Sequence, residues 1–239
     1  MEKSLLVVKN LSAWYQREQE VLSAFSLELA EHEAVGLIGL NGAGKTTFLK
    51  VLSGLLPTFQ SNGIVFRGKS VKMRDRNFKV NRYTVFAEDN SFQYFTFREY
   101  LAYVFAAYGK ELPKQSELSA LIRGFHFDAF TDVLLKDLST GNRRKVFLIT
   151  AFALKPALLL LDEPVNGLDF QSTEFLYEQI ARYKEHGTLL FSSHILESIT
   201  LTSDRVVVLE DGRIRQTFEG GQMDAAELRE ALHNETNDV

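Results

Sequence analysis

The stretch GLNGAGKTT, residues 39–47, decides the fold. It matches G-x-x-x-x-G-K-[ST] and lies between a short apolar run, EAVGLIG (33–39), and a segment in which Phe48, Leu49, Val51 and Leu52 have helical spacing. A strand that runs into a glycine-rich loop and then a helix lets several backbone N–H groups curl inward. Those donors, with the positive end of the helix dipole, cradle phosphate oxygens. The expected ligand surface is Gly39, Asn41, Gly42, Ala43, Gly44, Lys45, Thr46 and Thr47. Lys45 would reach the β- and γ-phosphates, and the Thr46 hydroxyl would hold Mg²⁺. The plainer reading is a glycine-rich turn. With glycine near 7% of residues, the four fixed positions arise by chance in roughly one chain of this length in a hundred. The strand–loop–helix setting makes chance rarer still, so the phosphate site is preferred.

Working outward, LLLLDEP (158–164) is an apolar strand that ends in two carboxylates. Such an ending is costly unless a cation lies at its tip. Asp162 is the expected Mg²⁺ ligand, directly or through water, and Glu163 the group that polarises an attacking water. FSSH (191–194) ends a second apolar run, which places His194 at a neighbouring strand tip, where it could hold the γ-phosphate and the water in line.

The remaining pattern alternates strands and helices. Residues 4–9, 21–29, 63–68, 83–87, 188–193 and 205–211 read as strands, and Asp211-Gly212 turns the last into a hairpin with RIRQTF. Thr96 and Glu99 form a capping box for a helix running to Gly109; helical segments continue to about 154, and another helix covers about 171–185. This predicts an α/β fold with a mainly parallel sheet, a small antiparallel β subdomain, and a helical subdomain inserted over about 90–154. One domain would span 1–220, with a short helix and tail over 221–239. The 239 residues, 45% hydrophobic, suffice for a sizeable core. A net charge of −4 gives no general pull toward nucleic acid, and no nucleic-acid partner is expected. The absence of cysteine excludes disulfides and thiolate chemistry. The N-terminus lacks the pattern of a signal peptide, and no apolar stretch reaches the roughly 18 residues of a spanning helix.

LSTGNRRKV (138–146) poses a problem. It reads as a capped helix start, yet Arg143, Arg144 and Lys145 lie near the positive end of the dipole, where cations are unfavourable. Either an anion meets this helix end, or the basic run forms a solvated face.

The order of these motifs resembles the nucleotide-binding subunit of ABC (ATP-binding cassette) transporters, from about Leu5 to Gly220. Residues 39–47 correspond to Walker A, 158–163 to Walker B, NGLD (166–169) to the D-loop, His194 to the switch histidine and LSTGN (138–142) to the signature, usually LSGGQ. The resemblance implies a P-loop NTPase fold and a Mg-dependent ATPase of the cytoplasmic face of a membrane, peripheral to a separate permease. It makes the anion the γ-phosphate of ATP held by a second ATP-binding subunit, contacted by Ser139, Gly141 and Asn142. A helix end is worth only about 0.3–1 kcal/mol to an exposed charge, so the signature completes a site rather than building one. Thr140 and Asn142 depart from the usual signature, and Glu88 in VFAEDN stands at the Q-loop position as an oxygen ligand for Mg²⁺ or its water. Tyr15 in LSAWY fits the aromatic that stacks on adenine.

Two further features concern partners. The stretch 67–82 holds seven cations against Asp75 and reads as a solvated face, with a phospholipid or nucleic-acid patch as the sharper alternative. The aromatics Phe92, Tyr94, Phe95, Phe97, Tyr100, Tyr103 and Phe105 are too many for one helix face, and the resemblance puts permease docking at 88–105. The form LS-x-G-N-R-R-K-V resembles exporter subunits. The rival reading, a soluble ABC-type ATPase of translation or DNA repair, would bring a second cassette, coiled-coil arms or zinc cysteines, none of which this sequence carries.

Overall fold

The computed structural model describes residues 3–17 and 19–220; the helix expected over 221–239 lies outside them. Two sheets organise the chain. In the first, β1 (Ser4–Gln16) pairs antiparallel with β2 (Gln19–Ala30) on one edge, and with β4 (Phe59–Gln60) and β5 (Gly63–Phe66) on the other; β6 (Lys69–Ser70) extends β5. The second sheet orders β11 (Arg213–Glu219), β10 (Arg205–Glu210), β3 (Ala34–Ile38), β9 (Thr188–Ser193), β8 (Leu158–Asp162) and β7 (Arg82–Val85). All its pairings are parallel except the β10–β11 hairpin.

Every residue of β3, β8 and β9 is buried, which is why these strands read as continuous apolar runs rather than alternating ones. Their alternate side chains feed two cores. Val35, Leu37, Leu158, Leu160 and Leu190 pack toward α1 (Lys45–Ser53) and the antiparallel sheet. Ile38, Leu159, Leu161, Leu189 and Phe191 face the helical half: α3 (Phe97–Ala107), α4 (Gln115–Gly124), α5 (Thr140–Leu154) and α6 (Phe170–Tyr183). α3 and α4 lie between β7 and β8 in the chain, within the segment expected to be inserted. The Thr96–Glu99 capping box is formed in both directions. Among the described residues, no helix is long and apolar enough to cross a membrane.

Two local expectations are corrected. The first strand does not end at residue 9. Lys9 and Asn10 break the alternation, but Asn10 takes a φ of 49° inside a bulge, its N–H bonds the Ser26 hydroxyl at 2.8 Å, and the strand continues to Gln16. The basic stretch 67–82 contains β6 and α2 (Arg76–Val80), anchored by buried Met73 and Phe78; six of its cations are exposed, as a solvated face requires. Arg82 is the exception. Its guanidinium donates to the carbonyls of Ser53 (3.0 Å) and Met73 (2.8 Å) and lies 4.2 Å from the Phe78 ring centroid. Burial pushes its pKa down to about 10.

Phe48 of α1 is fully buried, 4.4 Å between centroids from Phe25 of β2, and so joins the helix behind the glycine-rich loop to the antiparallel sheet. Phe48→Ala should lower the unfolding free energy by about 3–5 kcal/mol. The shift in urea midpoint at unchanged m-value measures it.

Candidate functional site

The parallel strands β3, β8 and β9 end side by side, so the loops after them meet. The loop after β3 is shaped by glycines: Gly42 (φ 91°) and Gly44 (φ 107°) occupy the left-handed region, and a Cβ on Gly44 would lie 2.7 Å from the Leu22 side chain. A Cβ on Gly39 would meet the Leu209 carbonyl at 2.2 Å. Larger residues at Gly44 and Gly39 would force the loop away from β2 and β10, whereas Gly42 is required by its φ alone.

Lys45 is buried and turns back over this loop, donating to the carbonyls of Gly39 (2.6 Å) and Leu40 (3.1 Å), with Glu163 Oε1 at 3.9 Å. Burial pushes its pKa down, while Glu163 and Asp162 draw it back up. An ammonium so placed is desolvated in advance and ready for an anion. The Thr46 hydroxyl lies 3.0 Å from both oxygens of Asp162, which is 2% exposed and also accepts from the Ser192 hydroxyl at 2.7 Å. Ser192 accepts in turn from the Glu163 N–H at 3.0 Å, and His194 Nδ1 is 2.7 Å from Glu163 Oε2. The structure thus brings Lys45, Thr46, Asp162, Glu163 and His194 together. Ser192, the hub among them, is missed by the sequence reading; its signal is a pair of hydroxyls in an otherwise apolar strand.

Thr46 and Asp162 offer hard oxygen ligands of the kind Mg²⁺ takes beside phosphate oxygens. Among the described residues, no three His, Asp or Glu side chains form a metal cage of their own, so the donor set suits an ion that arrives with phosphate. Glu88 is exposed and lines a cavity of about 310 Å³ with Asn90, Thr140, Arg143, Arg144 and Phe147; neither Thr46 nor Asp162 lines it. Tyr15 is 52% exposed, with its hydroxyl 3.5 Å from Thr47 Oγ1 and the Lys50 ammonium 5.5 Å from its ring centroid, beside the loop's helix. The neighbouring Trp14 is half-buried, and its backbone is tied to Thr58.

Ser139 caps α5, accepting from the Asn142 N–H at 3.2 Å. Ser139 and Thr140 are exposed. Among the described residues, no hydrogen bond joins the signature 138–142 to the loop 39–47 of the same chain. A Cβ on Gly141 would meet the Gly167 carbonyl at 2.2 Å, so glycine at 141 is already required by the chain's own D-loop. The basic run is not a solvated face. Arg144 and Lys145 are buried: Arg144 donates to the carbonyls of Ala87 and Glu163, and Lys145 lies 2.6 Å from Asp169. The half-buried Arg143 bonds Asn90 Oδ1 at 2.7 Å and the Leu135 carbonyl at 3.0 Å. Carbonyls and a carboxylate of this chain therefore compensate the cations that the helix dipole disfavours.

A glycine-rich phosphate loop between a central parallel strand and a helix, with an acid-tipped strand two positions away, defines a P-loop NTPase. A family profile described as "ABC transporter" matches residues 22–166. AlbC of Bacillus subtilis (strain 168), described as an ABC transporter ATP-binding protein, is 34% identical over 226 residues, which cover 92% of this chain and 93% of that one. PotA of Mesoplasma florum, a spermidine/putrescine import ATP-binding protein, is 33% identical over 90% of this chain and 62% of its own length. A solved structure titled "Structure of ATP binding subunit of ABC transporter" aligns with a TM-score of 0.80 at 30% identity, covering 90% of each chain. The chain belongs to the ABC transporter family, as an ATP-binding subunit with ATPase chemistry.

Asp169 gives the site a pH signature. Its partial burial opposes ionisation, but Lys145 and the N–H and hydroxyl of Ser172 outweigh that and hold its pKa well below the usual carboxylate range. A depressed folded-state pKa stabilises above the unfolded value, near 4, and the contribution is lost as pH falls below it. The stability gap between the native chain and Asp169→Asn should be full at neutral pH and shrink steadily below about pH 4. Urea unfolding across that range tests it.

Proposed function

We propose that the protein hydrolyses Mg-ATP at the junction of two ATP-binding subunits and powers substrate movement through a separate membrane permease. One observation carries the reading: Lys45, Thr46, Asp162, Glu163 and His194 converge at three strand tips around a preformed phosphate loop. The loop N–H groups and Lys45 bind and orient the β- and γ-phosphates, and Tyr15 stacks on the adenine. When bound to Thr46 and Asp162, Mg²⁺ neutralises charge on the phosphate oxygens. Glu163 accepts the proton of the attacking water, and His194, bonded to Glu163, holds that carboxylate and the γ-phosphate in line. Glu88, on the segment after β7, would offer an oxygen to the Mg²⁺ or its water.

The signature exposes Ser139 and Thr140 and makes no hydrogen bond to its own phosphate loop among the described residues, which suits a contact in trans: Ser139, Gly141 and Asn142 of one subunit close on the γ-phosphate held by the other. ATP then favours the dimer, and hydrolysis releases it. The permease docks at 88–105, where Tyr94 and Tyr103 are 75% and 50% exposed beside the half-buried Phe92 and Phe95. This puts the subunit on the cytoplasmic face of the membrane, as a peripheral partner. The direction we favour is export, on the form of the signature, although PotA is an import protein by name.

Lys45→Ala should abolish Mg-ATP hydrolysis; unchanged turnover would sink the assignment. Tyr15→Ala should weaken nucleotide binding by about 1–3 kcal/mol, taking base–aromatic stacking as the guide. Glu163→Gln should trap an ATP-bound dimer, visible by sizing chromatography with light scattering, whereas ADP leaves monomers. A side chain at Gly141 would strike Gly167 of its own chain, so the trans contact is better probed at Asn142. Adding Asn142→Asp brings a like charge to the phosphate, costing about 4 kcal/mol at 4 Å and an effective dielectric near 20. That should dissolve the dimer while each monomer still binds ATP.

A further inference from the structure

Arg144 is a buried cation that the hydrolytic scheme leaves without a role. It stands in the first turns of α5, 6% exposed, and its guanidinium bridges two carbonyls far apart in the chain: Ala87, directly before Glu88, and Glu163, directly after β8. A simple packing residue at this depth would more cheaply be apolar, since burying a charge is costly without paired acceptors.

Glu163 supplies the second half of the argument. It has a φ of 47°, a left-handed conformation that non-glycine residues seldom adopt. Such a conformation persists only when the surroundings over-determine it. Here the residue is held from several sides: the Asn166 N–H shares its carbonyl at 3.2 Å and Lys45 lies 3.9 Å from its carboxylate. The Ser192 hydroxyl takes its N–H at 3.0 Å, His194 meets its carboxylate at 2.7 Å, and Arg144 takes its carbonyl. Ser192 and His194 belong to β9 and the loop after it, within the layer that carries the phosphate loop. Arg144 reaches over from the helical half, and its other hand grips the segment on which Glu88 rides. A shift of residues 86–90 therefore pulls on the same guanidinium that fixes the Glu163 peptide.

We propose that Arg144 is a positioning residue that aims the Glu163 carboxylate by holding the peptide that carries it. The inference rests on the reading of Glu163 as the proton acceptor. It adds Arg144, a residue of the helical half, to the groups that set the base.

Steady-state and single-turnover Mg-ATP hydrolysis by the full chain tests it with Arg144→Gln, Arg144→Lys, Glu163→Gln and the Arg144→Gln/Glu163→Gln double variant. Arg144→Gln should lower kcat by about 10²-fold, the loss expected from misplacing a reacting group by about 1 Å. KM and the Kd for ATP should stay within about twofold, because the phosphate loop is untouched. Arg144→Lys, whose ammonium lacks the guanidinium fork, should recover part of the rate. In the Glu163→Gln background, Arg144→Gln should cost little more, because two residues acting as a unit are not additive. The proposal is overturned if Arg144→Gln keeps its kcat while Glu163→Gln is inactive, or if the two losses multiply. It also falls if KM rises in step with the fall in kcat. Should Arg144→Gln fail to fold, Arg144→Lys decides: partial rate at native KM supports the proposal, and full native kcat removes it. Turnover that survives in Glu163→Gln overturns the base assignment itself, and this inference with it.

Discussion

A carboxylate at the buried end of a strand cannot remain without partners, and the site is arranged around that constraint. Asp162 is almost wholly removed from water, and hydroxyls from two other elements satisfy it: Thr46 at the start of α1 and Ser192 in β9. Each bond draws one element to the tip of β8. Thr46 brings the phosphate loop, and Ser192 brings β9 and takes the Glu163 N–H as well. Leaving a buried polar group unpaired costs about 1–3 kcal/mol, and more for a charged one, so the three strand tips are locked in register before any ligand arrives. The phosphate cradle and the two acids are thereby preorganised rather than assembled around ATP.

The sequence is legible where one strong local rule acts and no distant partner is needed. The glycine spacing of 39–44, the Thr96–Glu99 cap and the all-apolar runs of β8 and β9 each translate directly into structure. A strand buried on both faces carries no alternation, and a helix start carries its own cap; both are short-range facts. The end of β1 was not legible, because the polar pair Lys9-Asn10 looks like a terminus and is a bulge held by Ser26, a residue on another strand. Ser192 escaped notice for the same reason: its value lies in touching Asp162 and Glu163, 30 and 29 positions away.

Charge was the least legible property. Three consecutive cations after a helix cap look like a surface feature, and six of the seven in 67–82 are one. In α5 the same residue types are buried, because the D-loop, segment 86–90 and the peptide after β8 supply acceptors that no local pattern announces. Arg82 repeats the lesson in the other stretch, with its guanidinium shared between two carbonyls and the face of Phe78. Whether an arginine is solvated or structural depends on the carbonyls that the fold brings to it, and those come from elsewhere in the chain.

The same contacts give the signature helix a structural job besides the phosphate contact proposed for it. Gly141 fits against the Gly167 carbonyl with no room for a Cβ, and Lys145 pairs with Asp169 four residues and one turn further along α5. Arg144, between them, is bound to the peptide of Glu163. The start of α5 is thus fastened to both ends of the segment 163–169 that follows the acid-tipped strand. In the proposed dimer, a phosphate that draws Ser139 and Thr140 toward it would pull on a helix whose next residues already grip that segment. Motion at the proposed trans contact and geometry at the cis acids would therefore be carried by one element. The cost of burying the two cations is offset by the acceptors that receive them, the carbonyls of Ala87 and Glu163 for Arg144 and the Asp169 carboxylate for Lys145.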